Sequence, residues 1–83
     1  MNELHNLPNI GSYLEEKLYA AGIYEEVVLR KLGAKAAFLK IREIDDTVCI
    51  RVLYALEGAL QGMKDSQLSA SDKADLKAFF KSL

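Results

Sequence analysis

The sequence has little from which to build covalent or metal staples. Among its 83 residues there is one cysteine, one histidine, one proline and no tryptophan. Cys49 alone cannot close an internal disulfide, and with His5 as the single histidine no Cys/His cluster suits zinc. No metal and no cofactor are therefore expected, and a reducing, cytoplasmic setting is the natural reading. No apolar run approaches the ~18 residues of a membrane span, so no membrane association is expected. The first residues, "MNELHNLPNI", lack the basic and apolar regions of a signal peptide. No stretch alternates apolar and polar residues, and Asn-Gly or Asp-Gly hairpin signals are missing, which argues against strands. Catalysis is not expected either. His5 reads as an exposed residue near the N-terminus, and no Ser-His-acid or Cys-His arrangement can be assembled around it. Cys49 falls on an apolar stripe and reads as a buried structural thiol.

What is present is apolar helix-forming sequence. Hydrophobic residues make up 51% of the chain, enough for one domain spanning residues 1–83. Charge is unevenly spread over the net −1. Residues 1–26 carry five acids and one base, Lys17. Residues 27–42 carry five bases (Arg30, Lys31, Lys35, Lys40 and Arg42) and no acid, and residues 43–83 carry seven acids and five bases. The central basic segment is a modest electrostatic footprint, or else a solvated helix surface.

The periodicity predicts about five short helices. A turn over Glu3–Asn6 should end at Leu7, because a residue before proline is pushed out of helical conformation. A helix over Ser12–Ala21 buries Leu14, Leu18 and Ala21, with Gly22 closing it. A second covers Glu25–Leu32, with Val28 and Leu32 inward and Gly33 at its end. A third covers Lys35–Ile44, with Ala37, Phe38, Ile41 and Ile44 inward. The longest is capped by Asp46 or Thr47 and carries Cys49, Leu53, Leu56, Leu60 and Met63 on its core stripe. Gly58 and Gly62 on this helix read as close packing or fraying. In "SASD", Ser69 and Asp72 make a capping-box-like pair that opens the last helix, whose stripe is Leu76, Phe79, Phe80 and Leu83. The core should centre on Leu14, Leu18, Leu32, Phe38, Leu53, Leu56 and Leu60.

One turn is used twice. Residues 7–18, "LPNIGSYLEEKL", align with residues 29–40, "LRKLGAKAAFLK", so that Leu7 meets Leu29, Ile10 meets Leu32 and Gly11 meets Gly33. Both glycines are expected in conformations that a Cβ disfavours. The pattern resembles the helix-hairpin-helix motif, whose turn reads like L-P-G-I-G. Free amides in such a turn make an anion nest, and the next helix adds its dipole. In the first copy Asn9 replaces a glycine, Tyr13 stands where a lysine is common, and Glu15 occupies a small-residue position. In the second copy Lys35 and Ala37 fit the pattern.

Over nearly its whole length the chain resembles the C-terminal domain of the TfoX (Sxy) regulators of bacterial competence, most tellingly in "LGAKAAF" followed by "LYALEGAL". That resemblance implies an all-α, SAM-like, two-hairpin bundle linked to transcriptional control of DNA uptake, here as a stand-alone domain. The resemblance implies weak, sequence-independent DNA contact, with Gly33, Ala34, Lys35, Lys31 and Lys40 in the second hairpin and Asn9, Gly11 and Ser12 in the first. So few bases would hold DNA only in the nonspecific range of about 10⁻⁴–10⁻⁶ M. The alternative is an adaptor that binds a protein partner or itself, without nucleic acid.

Overall fold

The computed structural model describes residues 3–83, and every regular element among them is helical. A 3₁₀ turn over Leu4–Asn6 leads to α1 (Ser12–Ala20), α2 (Glu26–Ile44), α3 (Ile50–Gln61), a second 3₁₀ turn over Asp65–Gln67, and α4 (Ala70–Lys81). None of the described helices is long and apolar enough to cross a membrane.

The apolar residues place α3 at the centre. Leu53, Leu56 and Ala59 are fully buried on it, α2 packs most extensively against it, and α4 closes its other side. Phe38 on α2 is also fully buried and meets Phe80 of α4 edge-on, with ring centroids 5.9 Å apart. Leu14 and Leu18 bring α1 onto the same core. The radius of gyration is 11.6 Å, close to the ~12 Å of a compact chain of this length.

Glycines end two of the helices in the same way. At α1, Ile23 N–H donates to the Leu18 carbonyl and Gly22 N–H to that of Tyr19, with Gly22 at φ 84°. At α3, Met63 N–H donates to Gly58 and Gly62 N–H to Ala59, with Gly62 at φ 77°. This six-to-one, five-to-two pairing satisfies the last carbonyls and turns the chain sharply. Ser69 caps α4, its hydroxyl accepting from the Asp72 N–H at 3.0 Å.

The residues expected to form a second and third helix are continuous as α2 and meet at a kink at Gly33, where φ is 80° and ψ is 167°. Other expectations need correction. Before this break the buried residue is Leu29, while Val28 is exposed and Leu32 only half-buried. After it, Ala34, Ala37, Phe38 and Ile41 form the inward stripe. Ile44, expected inward, is 53% exposed, because at 3.6 residues per turn it lies roughly 70° from that stripe's centre. Neither Asp46 nor Thr47 caps α3. The Asp45 carboxylate takes both the N–H and the hydroxyl of Thr47, and this local turn delays the helix to Ile50. Cys49 thus falls at the N-cap in extended backbone, and its thiol is exposed, not buried. Val48 and Val52 fill the buried positions beside it. Leu60 is half-buried in the last turn of α3, where its carbonyl accepts from Arg30 at 3.2 Å.

Candidate functional site

The two aligned turns differ in backbone geometry. Gly33 holds a combination of φ 80° and ψ 167° that only glycine occupies readily. Gly11, expected to match it, has φ −91° and ψ −170°, extended backbone open to any residue. The left-handed residue of the first turn is Asn9, at φ 69°. Asparagine tolerates that region better than most residues because its short polar side chain can bond locally.

Around the second turn, Ala34 is buried against the core, while Lys31 and Lys40 are exposed. Lys35 lies between them in sequence but reaches across to α4. Its Nζ is 2.8 Å from the Asp75 carboxylate and 5.3 Å from the centre of the Phe79 ring. Both partners of the ion pair are well exposed, so the contact stabilises by no more than about 1 kcal/mol.

Around the first turn the side chain of Asn9 points inward. Its Nδ2 donates to the carbonyls of Ala55 (3.3 Å) and Met63 (2.9 Å), and its Oδ1 accepts from the Asp65 N–H at 3.1 Å. The turn is thereby fixed to α3 and to the segment after it. This contact requires Gly58, since a Cβ there would sit 2.6 Å from Asn9 Nδ2 and 2.9 Å from the Met63 carbonyl oxygen. Gly11 and Ser12 are exposed, and no side chain caps α1. Its first-turn amides therefore lack the partner that a cap supplies.

A cleft of about 330 Å³ opens beside this turn. Leu14, Val52 and Ala55 form its apolar part, and Asn9, Tyr13, Cys49, Arg51 and Asp65 supply its polar lining. Apart from Asn9, the lining of this cleft is not visible in the sequence, because its residues come from three separate segments. The signal within reach was Arg51, the one basic residue on α3.

Charged side chains brace the α1 side of the domain. Lys17 Nζ lies 2.6 Å from the Asp45 carboxylate and 5.5 Å from the centre of the Tyr13 ring. The hydrogen bond from Lys17, helped by those from Thr47, lowers the Asp45 carboxyl from 3.8 to about 2. The same contact with Asp45 raises Lys17. His5 is exposed but not free. Its N–H and its ring Nδ1 both lie 3.0 Å from the Glu15 carboxylate, and its Nε2 lies 3.1 Å from Glu3. Desolvation pushes the Glu15 carboxyl up, but the His5 contacts outweigh it and the net direction is down. Desolvation, then Glu15, pushes the Tyr19 hydroxyl up.

On the outer surface the Tyr19 and Tyr24 rings meet at a tilt of 37° with centroids 5.7 Å apart, and Val27 and Val28 are exposed nearby in sequence. Among the described residues no group of three or more His, Cys, Asp or Glu is placed to hold a metal ion.

These features meet known proteins as follows. The family model described as the TfoX C-terminal domain matches residues 1–80. Protein Sxy of Escherichia coli (strain K12) is 35% identical over 80 residues, covering 96% of this chain and 38% of that protein, so the chain spans well under half of this relative's length. A crystal structure of an uncharacterized protein from Listeria monocytogenes, in a triclinic form, superposes with a TM-score of 0.94 at 49% identity, covering 99% of this chain and 92% of the other. A tetragonal form of a Listeria monocytogenes protein of unknown function gives the same TM-score and identity, with 96% and 98% covered.

Proposed function

The chain belongs to the family of TfoX C-terminal domains, and from that premise we propose that it is a non-enzymatic module of competence-type regulation, working in the cytoplasm, that contacts DNA phosphates weakly and without reading sequence. In this reading α2 is two helices joined by a helix-hairpin-helix turn at Gly33. The observation that carries it is the Gly33 break itself, with a glycine-only backbone inside a stretch, residues 27–42, that holds five bases and no acid. Lys31, Lys35 and Lys40 supply charge, and the Ala34 and Lys35 amides open the helix after the break. The first turn has a mainly structural part, since Asn9 spends its side chain on α3 and its neighbour segment.

A titration of short duplex DNA at low salt, followed by amide NMR shifts, tests this. The expected result is movement centred on Gly33 to Lys35, a steep loss of binding with added salt, and a larger loss from Lys35→Glu than from Tyr13→Glu. Shifts centred on Asn9 to Tyr13 and absent at Gly33 to Lys35 would reverse the assignment. No shift at millimolar DNA rejects it.

A second reading, an adaptor for a protein partner or for another copy of itself, is favoured by one observation. The tilted Tyr19–Tyr24 pair is 41% and 63% exposed and is followed in sequence by exposed Val27 and Val28, and aromatic residues are enriched at interfaces.

A further inference from the structure

The geometry points to the cleft between the N-terminal ends of α1 and α3 as a binding site for a single unpaired nucleotide, with guanine preferred. Its volume of about 330 Å³ lies at the small end of the range for small-molecule sites. The lining divides into three kinds of surface. Leu14, Val52 and Ala55 give an apolar patch, and the Tyr13 ring beside them is 59% exposed. Arg51 brings a guanidinium that forms no ion pair among the described residues. Asp65 brings a carboxylate that is likewise without an ion pair there. A purely apolar ligand would leave both charges desolvated and unmatched. A bare anion would use Arg51 but meet Asp65 as a repulsion. One carboxylate is too little to hold a divalent cation.

A nucleotide satisfies all three surfaces. Its base is flat and stacks on an aromatic ring, an interaction that tolerates any base. Its phosphate suits the forked donors of an arginine. Guanine alone presents two adjacent N–H donors, at N1 and N2, that one carboxylate accepts together. The walls are held for this. Asn9 fixes the Asp65 backbone through its N–H at 3.1 Å, and Lys17, tied to Asp45, lies over the Tyr13 ring at 5.5 Å. This site uses none of Lys31, Lys35 or Lys40, so it stands or falls separately from phosphate contact at the Gly33 turn.

Cys49 lines the cleft, is exposed, and is the single cysteine in the chain, so its alkylation rate reports occupancy. The experiment compares 5′-GMP, 5′-UMP, guanosine, inorganic phosphate and the single strand d(TTGTT), by amide NMR shifts and by iodoacetamide labelling of Cys49. GMP should shift Ser12, Tyr13, Val52 and Asp65 and slow the labelling, with UMP and guanosine weaker. Arg51→Ala should weaken GMP and UMP alike, about fivefold or more, while Asp65→Asn should bring GMP down to the level of UMP. Asp65→Asn keeps the backbone N–H that Asn9 uses, and unchanged melting midpoints confirm that both variants are folded. Binding of d(TTGTT) about tenfold tighter than GMP identifies a strand as the source of the nucleotide, and equal binding identifies a free one. The proposal is overturned by no shift at millimolar GMP, by equal shifts from inorganic phosphate, by shifts confined to residues 31–40, or by GMP binding that folded Arg51→Ala leaves unchanged.

Discussion

Asn9 carries more of the first turn than any neighbour does. Its backbone is left-handed, and its side-chain amide makes three hydrogen bonds to residues 55, 63 and 65. Hydrogen bonds of this kind contribute about 1 kcal/mol each, and buried partners left unpaired add to the loss, so Asn9→Ala should destabilise by roughly 2–4 kcal/mol. Gly58→Ala should cost about 1–3 kcal/mol by forcing a methyl into the same contact. The double variant should lose less than the sum of the two, because both damage one set of atoms. Urea melts of the four proteins check this, and simple additivity would mean that Asn9 and Gly58 act independently. The sequence shows that Asn9 tolerates a left-handed turn. It does not show where the amide points, because all three partners are more than 40 residues away along the chain.

At the scale of the element, α2 depends on one residue for its shape. Gly33 has no neighbour within 4 Å of where a Cβ would sit, so substitution there meets backbone strain alone. Gly33→Ala should therefore cost about 1–3 kcal/mol. Gly11→Ala, in extended backbone with equally open space, should stay within about 0.5 kcal/mol of the parent. Equal losses in denaturant melts would show that the two turns are alike after all. Helical periodicity made the four helices legible, along with the Ser69 cap and the buried Leu14, Leu18, Phe38, Leu53 and Leu56. It failed where a local bond overrode the pattern. The Asp45–Thr47 turn moved the start of α3, and with it Cys49 left the core. Before Gly33, Leu29 took the buried place expected for Val28. The basic segment was legible by counting. The cleft was not, because Tyr13, Arg51 and Asp65 become neighbours only after folding.

Across the whole molecule, charge does more to brace the fold than to spread over it. The Lys17–Asp45 pair joins α1 to the end of α2 at 2.6 Å. Asp45 is lowered from 3.8 to about 2 in the folded state. Its contribution to stability is thus complete above the unfolded value and is lost as pH falls from about 4 towards 2. Lys17 is raised above 10.5, so its contribution is complete below that value and is lost at still higher pH. Urea midpoints measured from pH 5 to pH 2 should fall more steeply for the parent than for Asp45→Asn, which keeps an oxygen for Thr47 but no charge for Lys17. Parallel curves would show that the pair contributes nothing to acid sensitivity.

The bonds of Asn9 also set an order of events during synthesis. The first of its partners to be made, the Ala55 carbonyl, lies 46 residues further along the chain, and the last, the Asp65 N–H, lies 56 residues further on. At roughly 5–20 residues per second that partner arrives about 3–11 s later. Until Ala55 is made none of the three Asn9 side-chain bonds can form, and until Asp65 is made the set is incomplete. The turn is thus completed only once α3 and the segment after it have been made.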